Sequence, residues 1–292
     1  MFAASPQKTA TLIGLSAVAI WSTLALATSA TGAMPPFLLN VLTFTVAGLF
    51  GVAAVIVRGT GFAVFRQPWP VWVHGVGGLF GFHFFYFTAL KLAPPAEASL
   101  IAYLWPLLIV VFSAFLPGER LRAVHVMGAL MGLAGTVILL GGRAGGFDFS
   151  PTYLLGYLSA AACAVVWAVY SVASRRFASV PTEVVAGFCL ATAVLSVPFH
   201  LALEPSVWPS TMSEWLAVLG LGIGPVGIAF YTWDVGMKRG DIRLLGVAAY
   251  AAPVLSTMLL VVAGFAQPSW SLAAACALIV GGAAVATLLA RR

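Results

Sequence analysis

The residues of this sequence able to do chemistry are few, and most of them lie between Gly81 and Pro106, in GFHFFYFTALKLAPPAEASLIAYLWP. His83 and Tyr86 are three residues apart, so on a helix they share a face. After the tight Ala93-Pro94-Pro95 turn the chain comes back, bringing Tyr103 and Trp105 to a similar depth, so two neighbouring helices present polar-tipped rings to one space. An imidazole, phenols and an indole in apolar surroundings can stack on a planar solute and hydrogen-bond its polar ends. His83 is either a satisfied packing histidine or a donor lining a cavity, and Tyr86 at i+3 favours the second.

Other rings extend this set. Trp21, Trp167, Tyr170, Tyr231 and Tyr250 fall deep in apolar runs, where an indole N–H or a phenol O–H needs another helix or a wet cavity as partner. Both remain open for each ring. Trp69, Trp72, Trp208, Trp215 and Trp270 fall at the ends of apolar runs and read as interfacial anchors. Glu97, two residues after Pro95, suits a helix N-terminus and reads as a cap. Asp234, four residues before Lys238, reads as a structural ion pair. No acid stands unpaired in the middle of an apolar run, which favours a facilitator or exchanger over a pump carrying protons on a buried carboxylate. The sequence has no GxSxG, HExxH or phosphate loop, and Cys163, Cys189 and Cys276 lack any metal or CxxC spacing. Catalysis, a cofactor, a metal and a disulfide are therefore not expected.

The elements that position these rings follow from composition. Of 292 residues 62% are hydrophobic and 8% charged, with a mean hydropathy of +1.05, which no soluble domain with a polar surface can have. The 14 basic residues give a net charge of +6 but are scattered in ones to threes, as topological anchors rather than a nucleic-acid surface. Punctuation by Pro, Gly and charge predicts ten spans, at 8–30, 36–58, 69–91, 95–117, 122–141, 152–175, 181–203, 213–238, 242–265 and 270–290. The first is too long in its apolar core for a signal peptide and is expected to stay. Alternate connections then carry twelve Lys and Arg on one side and only Lys91 and Arg143 on the other, which places both termini in the cytoplasm.

The chain also repeats itself. A shift of 146 brings Trp21 onto Trp167, Pro35 onto Pro181, Gly81 onto Gly227 and Phe85 onto Tyr231; a shift of 147 brings Lys91 onto Lys238, Tyr103 onto Tyr250 and Pro106 onto Pro253. Each half holds five spans, an odd number, so the second enters the membrane from the opposite face. The expected fold is all-α, a polytopic membrane protein of ten transmembrane helices in two inverted repeats, 1–143 and 152–292, around a central cavity. Pro106 and Pro253 interrupt spans 4 and 9 and read as hinges. Gly77, Gly81, Gly128, Gly132, Gly135, Gly281 and Gly282 read as helix contacts.

Three segments carry a resemblance: Tyr103-Leu104-Trp105-Pro106-Leu107-Leu108, Pro117-Gly118-Glu119-Arg120-Leu121, and the stretch from Gly128 to Gly135. They are similar to the signature of the EamA half-domain, and ten spans in two such halves resemble the drug/metabolite transporter superfamily along essentially the whole chain. Within it, His83, Tyr86, Tyr103, Trp105 and Trp167 make the chain similar to bacterial aromatic amino acid exporters. The resemblance implies an inner-membrane carrier, monomer or weak dimer, exporting aromatic and other neutral amino acids from a cavity lined by these side chains. A broad exporter of amphipathic drugs is the alternative, and a membrane enzyme or scaffold a more distant one. The second half departs from the pattern, with Ala266-Gln267-Pro268 in place of Gly118-Glu119-Arg120, so Glu119 is expected to stabilise a loop on one side only.

Overall fold

The computed structural model of the chain describes residues 5–118, 121–264 and 266–288. Glu119 and its expected loop role lie outside these residues, as do Arg120, Arg291 and Arg292 of the charge count. The described residues form helices and connections. In chain order the spans are span 1 (Pro6–Ser29), span 2 (Pro36–Val57), span 3 (Trp69–Leu92), span 4 (Pro95–Phe115), span 5 (Ala123–Ala144), span 6 (Pro151–Phe177), span 7 (Thr182–Leu203), span 8 (Met212–Arg239), span 9 (Ile242–Val262) and span 10 (Trp270–Leu288). Proline at the first or second helical position starts spans 1 to 4 and fits there because its missing N–H would be unpaired anyway.

Helix pairing follows from two inverted copies. The dominant contacts join span 5 to span 10 and span 2 to span 7, each a span with its own repeat mate, and join span 3 to span 6 and span 8 to span 1, two contacts that the repeat exchanges. Small residues permit the close ones. A Cβ on Gly14 would lie 2.9 Å from Cα of Gly236, and one on Gly128 would lie 2.6 Å from the carbonyl of Gly282. Gly77, in contrast, meets nothing within 4 Å and is no helix contact.

Four spans are not continuous. Span 4 breaks at Tyr103 and Leu104, and span 9 at Tyr250. Each break lies three residues or fewer before a proline, because the ring of Pro106 or Pro253 cannot accept the helical position of the carbonyl four residues earlier. Span 8 widens into a π-turn at Gly224–Ile228, around Pro225, for the same reason. Span 1 is expected to be continuous, but it breaks between Trp21 and Leu24 without a proline. There Ser22 and Thr23 each donate a hydroxyl to a carbonyl three residues back, at 2.6 and 2.7 Å, which competes with the helical ladder.

The presumed belt residues divide. Trp69 and Trp270 are 74% and 90% exposed, as anchors should be. Trp72 is half-buried, its indole lying over Gly187 and edge-on to Phe188, so it packs span 3 on span 7 instead.

Candidate functional site

The breaks in spans 1, 4 and 8 converge on one cluster of rings. Trp21, at the end of the first helix of span 1, lies 5.1 Å from Trp233, 5.8 Å from Trp167, 6.0 Å from Phe230 and 6.4 Å from Trp105, mostly edge to face. Its Nε1 donates at 3.0 Å to the carbonyl of Pro225, inside the π-turn of span 8. Trp105 and Trp167 meet edge to face at 6.3 Å. Trp233 donates Nε1 to the Ser171 hydroxyl at 3.1 Å and is fully buried, a floor rather than a wall.

Above this floor Phe82 lies 5.1 Å from Trp167 and stacks on Tyr86 at 5.9 Å, whose hydroxyl meets Ser99 Oγ at 3.3 Å. His83 stands edge-on to Phe44 at 4.9 Å. His83, Tyr86 and Tyr103 are only partly exposed, each keeping some of its surface accessible beside the ring cluster.

The hydrogen bonds decide which polar atoms of these rings remain uncommitted. His83 Nδ1 is 2.7 Å from the Leu79 carbonyl, which can only accept, so Nδ1 carries the proton and Nε2 of the neutral ring is an acceptor. His83 is therefore not a donor, as its position suggests from sequence, but a partner for an ammonium or a hydroxyl. Nε1 of Trp105, Nε1 of Trp167 and the Tyr103 hydroxyl have no hydrogen bond among the described residues, and none of the three atoms is sealed off. Two N–H groups and one O–H are thus free for an anionic group, and one imidazole nitrogen for a cationic one.

Three of the expected site rings are engaged by neighbouring helices. Tyr170 is buried, 5.2 Å from Trp167 at the margin of the cluster, stacked on His74 at 5.0 Å and pressed against Gly78. Tyr231 donates its hydroxyl to the Ala47 carbonyl at 3.2 Å, tying span 8 to span 2. Tyr250 is fully buried over Gly132, and its oxygen accepts the Leu107 N–H at 3.2 Å, capping the second helix of span 4. Their depth is right, but they face neighbouring helices. Trp233, a deep indole in the sequence but outside the expected site set, belongs to the cluster, as do Phe44 and Phe230, which the sequence leaves unmarked because a phenylalanine in a membrane span carries no signal of its own.

The carboxylates are structural. Asp234 and Lys238 form a buried ion pair at 2.8 Å; Asp234 also accepts from Thr182 at 2.6 Å, and Lys238 donates to the Val180 carbonyl at 2.9 Å. Buried so, Lys238 is not a surface anchor, but the basic asymmetry survives without it. Glu97 lies in the first turn of span 4 and also reaches out of its helix, accepting from the Asp148 N–H at 3.0 Å in the connection between the halves. Its Oε2 is buried and has no hydrogen-bond partner among the described residues. Among the described residues no group of His, Cys, Asp and Glu could hold a metal ion.

Ten apolar helices in two interlocked halves, with broken spans meeting at one cluster of aromatic rings, are the build of a membrane transporter. The sequence profile of the EamA-like transporter family matches residues 8–141 and again 154–288, and the chain belongs to that family. It is 77% identical to the aromatic amino acid exporter YddG of Ancylobacter novellus over 98% of this chain and 99% of that protein. It is 28% identical to the aromatic amino acid exporter YddG of Escherichia coli over 98% of this chain and 99% of that one. A crystal structure of a protein 77% identical in sequence superposes with a TM-score of 0.94, over 97% of this chain and 98% of the other.

Proposed function

We propose that this chain exports aromatic and other neutral amino acids across the bacterial inner membrane by alternating access, with both termini in the cytoplasm and no cofactor. It acts on a small molecule as a carrier, not an enzyme, and works as a monomer or weak dimer in the lipid bilayer. Its two halves are 1–143 and 152–292; Pro106 and Pro253 are the points about which spans 4 and 9 bend.

The observation that carries this reading is the set of uncommitted polar atoms beside the indoles: Nε1 of Trp105 and Trp167 and the Tyr103 hydroxyl, with His83 Nε2. An aromatic side chain stacks on Trp21, Trp105, Trp167 and Phe82, each ring pair contributing ~0.5 to 1.5 kcal/mol beyond burial. Its carboxylate takes the N–H and O–H donors, and its ammonium takes His83 Nε2 and the Tyr86 oxygen. Export is supported by the naming of relatives along the full length of the chain. The reading is favoured over export of amphipathic cations because Asp234, the acid nearest in sequence to Phe230 and Trp233, is already engaged by Lys238.

Ligand-dependent thermal stability of the detergent-purified protein tests it. Phenylalanine and tryptophan raise the melting temperature, while arginine and a cationic dye do not. A shift with the dye and none with phenylalanine overturns the assignment.

A further inference from the structure

Between the ends of spans 4 and 6, at the edge that carries Arg175 and Arg176, lies an open groove of about 340 Å³. Phe112, Phe115 and Leu116 form one wall, Val169 and Val172 the other, and Arg176 closes the end. The two consecutive arginines part company here: Arg175 turns inward and donates to the Gly240 carbonyl at 2.7 Å, whereas Arg176 is exposed and faces no carboxylate among the described residues. Phe115 is 72% exposed on the outer lip. A larger groove of about 670 Å³ beside Trp72 and Leu190 has no charge in its wall, so nothing there selects one lipid over another.

We infer that the groove between spans 4 and 6 binds an anionic phospholipid, an acyl chain lying against Phe115 and Val172 and the phosphate resting on the Arg176 guanidinium. An apolar slot ending in an exposed arginine matches the two parts of a lipid, and the planar guanidinium presents paired donors to phosphate oxygens. A headgroup carrying its own ammonium would set a second cation beside Arg176, so phosphatidylglycerol is preferred to phosphatidylethanolamine by about fivefold, the effect of one arginine near an anionic surface.

Native mass spectrometry of the delipidated full chain, titrated with the two lipids bearing identical acyl chains, tests this without reference to the transported solute. The wild type shows one phosphatidylglycerol held about fivefold more tightly; Arg176→Gln removes the preference, and Arg66→Gln, an exposed basic residue elsewhere, leaves it intact. Equal retention of both lipids by the wild type identifies ordinary annular lipid and overturns the inference, as does a preference that survives Arg176→Gln.

The repeat mates Tyr103 and Tyr250 carry a second inference, which rests on the proposed alternating access. They differ in state: Tyr250 is fully buried and bonded to the Leu107 N–H, while Tyr103 is half-buried and its hydroxyl has no partner among the described residues. The same shift of 147 that pairs the tyrosines pairs Leu107 with Val254. We propose that the two exchange: in the opposite state Tyr103 accepts from the Val254 N–H, capping the broken span 9, and Tyr250 is released. Each hydroxyl then stabilises one state only.

Spin-label distances across both faces, read without solute so that substrate identity does not enter, test the exchange. Tyr250→Phe shifts the ratio of states away from the one described here, and Tyr103→Phe shifts it towards that state, each by about fivefold for one net hydrogen bond. Shifts of the same sign, or none, overturn the exchange.

Discussion

Removing Asp234 while leaving Lys238 in place isolates the charge of a buried ion pair. The two are 2.8 Å apart with 3% and 5% of their surfaces exposed, beside the fully buried Trp233 and Met237. In Asp234→Leu the ammonium keeps one neutral partner, the Val180 carbonyl at 2.9 Å, and Thr182 loses its acceptor. An uncompensated buried charge of this kind costs about 3 to 5 kcal/mol. For a chain of this length that corresponds to roughly 2 °C per kcal/mol, a fall of about 6 to 10 °C in melting temperature. The double variant Asp234→Leu/Lys238→Met removes both charges and fills the volume with apolar groups, a change that is neutral or stabilising in comparable buried pairs. It should therefore recover most of the loss. Thermal unfolding followed by the monomer peak on fluorescence-detected size exclusion reads both variants. If the double variant melts as low as the single one, shape and not charge is responsible. A single variant unchanged within about 1 °C would mean that water reaches the pair and screens it.

Trp21→Phe keeps a ring among Trp105, Trp167 and Trp233 but leaves the Pro225 carbonyl without its donor, so stability should fall by about 1 to 3 kcal/mol by denaturant titration. Glu204 accepts from the Phe37 N–H at 2.9 Å and the Leu38 N–H at 3.2 Å, capping span 2 from the end of span 7; Glu204→Ala should cost about 1 to 2 kcal/mol in the same titration. Glu97→Gln should lower stability and leave any response of transport to an imposed pH gradient unchanged, because Glu97 is tied to the Asp148 N–H in the connection between the halves. A lost gradient response would make Glu97 a proton site.

The sequence states depth more clearly than direction. Pro106 and Pro253 announce the breaks of spans 4 and 9 because proline chemistry acts on its own helix, and the spacing of Trp21 to Trp167 announces the repeat for any reader of one chain. The break of span 1 was not legible, since Ser22 and Thr23 in most helices bond backward without interrupting them. Gly224-Pro225 does not announce whether span 8 kinks or widens there, and the structure shows the π-turn. Tyr170, Tyr231 and Tyr250 lie as deep as Tyr86 and Tyr103, and a single residue of rotation, 100° around a helix, decides whether a phenol meets the space or a neighbouring backbone. Tyr103 and Tyr250 make the limit concrete. They are mates in sequence, and a single conformation must break the symmetry between them, which no sequence pattern can express.

The assignment of the ring-lined space as the path of an amino acid is tested most directly by counterflow of labelled phenylalanine into proteoliposomes preloaded with the unlabelled compound. The wild type accumulates label transiently, while Trp167→Ala and Tyr103→Ala, recovered in equal amount and monodisperse, do not. Wild-type rates in both variants would contradict the account, because the solute would then cross without touching the indole and phenol that border the space.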